Sequence, residues 1–251
     1  MVLPGLLPVL AFALGFLYLG NVRPDWAWDR CFLRGAVLFG AYAVVGAELL
    51  GLVHALTLPA LLVLWLSPIL VLGTLLAVRT RGGRLRWPRI PSFSAPEVVM
   101  LILLGLFLLI TGAVAYLAPP DTWDSLTYHM ARVAHWAQSE SLAHYATGIE
   151  RQDLMPPGAE LGMLHAYILA QGDRLANFPQ WLAMLASLVG AAAVTRQLGA
   201  PRHAQLLAAV FVVTLPMGIA QASSTMTDYV VAIWVICVAY ESLGLLLEPS
   251  P

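Results

Sequence analysis

The residues best suited to chemistry stand close together. From Asp121 the chain reads Asp-Thr-Trp-Asp-Ser-Leu-Thr-Tyr-His-Met-Ala-Arg-Val-Ala-His-Trp136. At helical spacing Asp124, Tyr128, Arg132, His135 and Ser139 fall on one stripe, with steps of 4, 4, 3 and 4. A carboxylate, a phenol, a guanidinium and an imidazole then share a face. A carboxylate so placed can accept a proton, and a guanidinium can bind an anion. The opposite stripe, Trp123, Leu126, Met130, Val133 and Ala137, is apolar. The pattern predicts an amphipathic helix at a membrane interface, anchored by Trp123 and Trp136. A structural reading stands beside the chemical one. Asp121 suits an N-cap, and Asp124 suits N3 near the positive helix end.

A second acidic motif is Ala222-Ser-Ser-Thr-Met-Thr-Asp-Tyr229, which opens the last apolar segment. Thr225 and Asp228 have capping-box spacing. A carboxylate at the lip of a span also tends to face a cavity or a partner. Metal ligation fits the pattern poorly. His129 and His135 are six residues apart, about 240° around a helix, and no His-Glu-x-x-His motif is present. A divalent cation held by Asp121, Asp124 and Asp228 is the one metal alternative.

The elements that must carry these residues follow from composition. Of 251 residues, 60% are hydrophobic and 11% charged. So few charges cannot cover a soluble globule, which carries roughly 25%. The chain is expected to be an all-α polytopic membrane bundle. Crossing about 30 Å of hydrocarbon takes roughly 20 apolar residues. Seven segments qualify: Val2–Leu19, Gly35–Val53, Pro59–Val78, Val98–Leu117, Phe178–Val194, Ala204–Ala220 and Tyr229–Leu247. Leu161–Ala170 is too short to cross and reads as re-entrant or interfacial. The first segment has no basic residues before it, so it reads as a span and not a cleaved signal. Glu48 and His54 are expected to find partners on another span, and Glu241 has no evident partner in its own. Cys31 and Cys237 suggest neither a disulfide framework nor a metal site.

The 13 basic residues are all arginine, and they are unevenly placed. Arg23, Arg30, Arg34, Arg79, Arg81, Arg84, Arg86, Arg89, Arg196 and Arg202 fall in alternate loops. By the positive-inside rule that side is cytoplasmic, which puts the N-terminus outside and the C-terminus inside. The long loop over residues 118–177 must then face outward. It holds seven acids against three arginines, a net of −4. No basic stripe of the kind that binds nucleic acid is present.

Several motifs together carry a family resemblance. They are Trp123-Asp-Ser-Leu-Thr-Tyr-His129, the Arg-Val-Ala-His-Trp run ending at Trp136, His144-Tyr145, Glu150-Arg-Gln152 and Ser223-Ser-Thr-Met-Thr-Asp-Tyr229. The set resembles bacterial membrane glycosyltransferases of the GT-C superfamily, similar to protein O-mannosyltransferases and lipid A aminoarabinose transferases. The resemblance covers roughly residues 98–247. It divides the chain into an N-terminal three-span region, 1–97, and part of a catalytic module, 98–251. Superfamily members usually run much longer, which implies that this chain corresponds to an N-terminal portion.

The resemblance implies sugar transfer from a polyprenyl-phosphate-linked donor to a lipid, glycan or protein acceptor. The reaction would occur at the outer face of the bacterial cytoplasmic membrane. Asp124 matches the loop acid that acts as general base, and Asp228 matches the acid near a later span. Pro156-Pro157 matches a turn after the interfacial helices. Asp121, Tyr128, His129, Arg132, His135 and Arg151 are then expected to contact substrate. Arg132 and Arg151 would stabilise the leaving phosphate. The alternatives are a membrane transporter or lipid-handling protein, or a non-catalytic relative. Polar residues gather in the outer loop and at span ends, with few in mid-span, which favours interfacial chemistry over transport.

Overall fold

The computed structural model describes residues 2–81, 83–88 and 91–247, and Arg89 of the third loop lies outside these. The described residues form helices and no strand. The chain opens with a 3-10 turn, Leu3–Leu6, that leads into α1 (Leu7–Val22). Then follow α2 (Trp28–Leu52), α3 (Leu58–Thr80) and α4 (Ala95–Leu117). Three short helices come next: α5 (Met130–Ser139), α6 (Arg151–Leu154) and α7 (Gly158–Ala170). The last four are α8 (Phe178–Gln197), α9 (Arg202–Thr214), α10 (Pro216–Ala222) and α11 (Asp228–Leu247).

Among the described residues six helices are long and apolar enough to cross a membrane: α1 with its opening turn, α2, α3, α4, α8 with the 3-10 turn before it, and α11. Leu70, Leu103, Leu109 and Val238 on these helices stay 61% to 70% exposed. Such a surface suits hydrocarbon and not water. The sixth expected span, Ala204–Ala220, is not one straight helix. It breaks between α9 and α10 with a bend of 69°. The cause is local. Pro216 has no amide N–H to bond back, and it pushes Leu215 to φ −60°, ψ 121°. The bent pair makes a seventh span if it crosses as one unit.

The spanning helices pack through small residues. A Cβ on Gly190 of α8 would collide with Ile236 of α11. Apolar helices gain no hydrophobic energy by leaving lipid for one another, so close van der Waals approach must hold them.

Leu161–Ala170, too short to cross, is buried among other helices. It belongs to α7, whose Leu161, Met163, Leu164 and Leu169 are at most 2% exposed. They share a core with Ala11, Ala47, Leu61 and Trp65 of the first three helices and with Val133 of α5. His165 locks this core. The Trp65 indole N–H donates to His165 Nδ1 at 2.9 Å. The imidazole must therefore carry its proton on Nε2, which lies 3.1 Å from the Ala43 carbonyl. Burial pushes the imidazole pKa down to about 4, so the ring is neutral.

The two ends of the bundle differ. At one end Arg34 meets Glu241, Arg196 meets Asp29, and Arg202 reaches the Ser92 carbonyl. Glu241 thus finds its partner on α2. The other end carries the 118–177 segment, and local bonds tie it down. The Leu56 amide donates to the Glu140 carbonyl, and the Ser141 hydroxyl donates to the Gly51 carbonyl. Asn177 donates to the Ala115 and Ala118 carbonyls, which would otherwise be unpaired where α4 ends. We call these the arginine end and the acidic end.

Candidate active site

The acidic end begins with a helix start at Trp123. Its cap is Thr122 and not the expected Asp121: the Thr122 hydroxyl accepts from the Ser125 amide at 3.1 Å. Asp121 is exposed. Asp124 therefore sits one position closer to the helix start than N3. The helix then makes a π-helical turn over Ser125–His129 before α5. The wider turn rotates the side chains beyond it relative to those before it.

The rotation rewrites the expected stripes. Trp123 and Leu126 of the apolar stripe are 77% and 61% exposed. The buried face is Ser125, His129, Arg132, Val133 and Trp136. The polar row is divided as well. Asp124, Tyr128 and His135 remain half-buried, but Arg132 is 1% exposed. An even 3.6-residue period cannot show this, because the period itself changes inside the element.

Arg132 and His129 converge on Glu160, the third residue of α7. His129 Nδ1 lies 2.9 Å from Glu160 Oε1, and Arg132 lies 3.3 Å from the same oxygen. Glu160 is 1% exposed. Arg132 also donates to the carbonyls of Arg151 (2.7 Å) and Met155 (3.0 Å). Its guanidinium thus clamps both ends of α6. His129 Nε2, Arg132 Nε and Glu160 Oε2 have no partner among the described residues. Buried charge held with unspent hydrogen-bonding capacity is costly, so removing any one member exposes the others to a large penalty.

Clamped this way, α6 presents Arg151 to Asp124. The guanidinium donates to Asp124 Oδ1 at 2.7 Å and lies over the Tyr128 ring at 4.9 Å. The Asp124 and Arg151 side chains are 32% and 42% exposed. The pair is ordered yet reachable. Burial raises the Tyr128 phenol above its usual pKa, and the Asp124 and Glu160 charges add to this. The phenol stays a hydrogen-bond donor at neutral pH.

Other groups hold the surroundings. Buried Gln152 accepts from the Tyr145 and Thr147 hydroxyls and donates to the Thr127 carbonyl at 2.6 Å. His135 stacks on Tyr145 with ring centroids 3.5 Å apart. Next to α6 lies a cavity of about 360 Å³, lined by Glu48, Arg132, Trp136, Tyr145 and Asp153 among others. Glu48 faces this cavity and makes no ion pair among the described residues.

The two acidic motifs do meet. The buried Thr225 hydroxyl donates to the Ser125 hydroxyl at 2.6 Å. Thr225 is therefore not the cap of α11. That helix starts at Asp228, and the Thr227 carbonyl accepts its first bond. Asp228 stands exposed in the first turn, where the positive helix end favours a carboxylate. Among the described residues no three His, Cys, Asp or Glu side chains gather as ligands for an ion. Asp121, Asp124 and Asp228 therefore do not form such a group.

Glu160 and Thr122 were not singled out from the sequence. Glu160 did leave a signal: it is the one carboxylate in a mostly apolar run, and a carboxylate buried there needs a partner. No protein-family model, characterised protein or solved structure matches the chain.

Proposed function

We propose that this chain transfers a sugar from a polyprenyl-phosphate-linked donor to an acceptor hydroxyl. The acceptor is a lipid, a glycan or a protein, and the reaction takes place at the acidic end. That end faces out of the bacterial cytoplasmic membrane, with the arginine end in the cytoplasm. The observation that carries this reading is the Asp124–Arg151 pair. It sets an accessible carboxylate 2.7 Å from an accessible guanidinium, on a rigid buried clamp.

The acceptor oxygen attacks the anomeric carbon and forms the new glycosidic bond. Its proton passes to the Asp124 carboxylate. The bond between the anomeric carbon and the lipid phosphate breaks, and the phosphate keeps the electron pair. Arg151 balances that charge. Donor phosphate competes with Asp124 for Arg151, so donor binding frees the carboxylate to act as base. Tyr128 offers a donor beside the pair. Asp228, brought to the same end through Thr225 and Ser125, accepts from a substrate hydroxyl. His129 and Arg132 work indirectly, by fixing α6.

The test is transfer of labelled sugar from polyprenyl-phosphate donors in membranes containing the chain. Asp124→Asn should lower the rate about 10²–10⁴-fold, the usual worth of a general base. Undiminished transfer by Asp124→Asn sinks the assignment. One observation favours a transporter instead: the helix broken at Pro216, since transporters build sites at broken helices. Uptake of a free solute without sugar transfer would establish that reading.

A further inference from the structure

The arginine end holds a second concavity, of about 440 Å³, near the ends of α1 and α3. Its walls include Arg79, Arg84 and Arg86, with Asn21 and Thr80. Other arginines at this end, Arg23, Arg34 and Arg196, each grip a carboxylate with two N–H groups. Arg79, Arg84 and Arg86 pair with no carboxylate among the described residues.

Two of the three are nevertheless fixed in place. Arg79 Nε donates to the Asn21 carbonyl at 3.0 Å. The Arg86 guanidinium donates to the Gly20 carbonyl at 2.9 Å and lies over the Trp28 ring at 5.0 Å. Asn21 closes the wall from both sides. Its side-chain oxygen accepts from the Arg86 amide at 2.8 Å, and its amide group donates to the Arg86 carbonyl at 3.2 Å. Each of these guanidiniums spends one N–H on backbone, and its other N–H groups have no hydrogen-bond acceptor among the described residues. Arg84 is exposed and makes no hydrogen bond or ion pair among the described residues.

Three positive charges around one cleft repel each other, and among the described residues none of them is held in an ion pair. Guanidinium forks match phosphate geometry. The cleft also lies where two apolar helices end, and the ends of spanning helices meet lipid headgroups. Basic pockets between spanning helices bind anionic headgroups for these reasons. We propose that this cleft binds a phosphate group, and that its source is an anionic membrane lipid. The site is separate from the Asp124–Arg151 pair and does not depend on the transferase reading.

The test uses the full chain purified in neutral detergent. Phosphatidylglycerol, phosphatidylcholine and inorganic phosphate are titrated separately, and bound lipid is read by native mass spectrometry. Saturable binding of phosphatidylglycerol, with phosphatidylcholine much weaker, is expected. Arg84→Gln should weaken it about fivefold, and the combined Arg79→Gln, Arg84→Gln, Arg86→Gln variant about a hundredfold. Arg84→Gln removes no hydrogen bond or ion pair among the described residues, so it separates loss of the charge from loss of the fold. Arg23→Gln, outside the cleft, should change nothing. Equal binding of the two lipids, or wild-type binding by both cleft variants, overturns the proposal. Inorganic phosphate binding as tightly as phosphatidylglycerol overturns the lipid source.

Discussion

The two ends of the bundle handle charge in opposite ways. At the arginine end Arg23–Asp25, Arg34–Glu241 and Arg196–Asp29 are bidentate pairs with side chains 18% to 62% exposed. At the acidic end one glutamate oxygen serves both a histidine and an arginine, all three at most 2% exposed. Pairs of the first kind contribute little, because water already stabilises the separated charges. The second kind is committed: once buried, no member can be spared. Backbone geometry follows the same division. Among the described residues His54, Glu140 and Gln171 are the non-glycine residues with positive φ, and all three end helices at the acidic end. Strain of this kind persists where the surroundings impose it, often around a site.

The contrast can be broken most directly at the two glutamates. Glu160→Ala should cost about 3–5 kcal/mol, because Arg132 loses its buried counter-charge and His129 its hydrogen-bond partner. Denaturant unfolding in detergent measures it. A loss no greater than that of a surface pair would mean that the cluster is not sealed.

A pH titration gives the next largest effect. His165 has a pKa of about 4 in the fold, against 6.5 for a free imidazole. The unfolded chain therefore binds the extra proton first, and stability falls as pH drops from 6.5 towards 4. The full loss is about 3 kcal/mol at the bottom of that window. His165→Gln should flatten this part of the profile relative to wild type. An unchanged slope would show that another group titrates there.

Smaller effects sharpen the comparison. Thr122→Ala removes the cap before the π-helical turn and should cost about 1 kcal/mol. The cap also holds the first turn, which carries Asp124, so under the proposed function transfer should fall as well. At the arginine end Glu241→Gln should cost under about 1 kcal/mol. Thermal unfolding of the two variants side by side tests the order. If Glu241→Gln proves the worse, the arginine end holds more of the stability than its exposure suggests.

How much of this was legible in advance varies by residue. The acidic loop and the motif containing Asp228 stand out because carboxylates are rare in an apolar chain. The pairing of Asp124 with Arg151 was not legible, since nothing in either motif names the other. Arg132 falls on the polar stripe at even helical spacing, and the resemblance makes both Arg132 and His129 substrate contacts, yet both are buried. The π-helical turn changed that register. The break at Pro216 was visible as a proline, but its 69° consequence depends on how α9 and α10 pack.

The sequence by itself determined the helical class, the apolar segments and the unequal split of charge along the chain. These follow from composition and from the hydrocarbon thickness, which act on each segment separately. Tertiary structure decided which charges meet. Arg34 and Glu241 are 207 residues apart, and Arg132 and Glu160 are 28 apart. It also decided that Glu160 is sealed from water while Asp124 stays open to it. Ion-pair partners and burial depend on distances of a few ångströms between separate helices, and no local pattern specifies those.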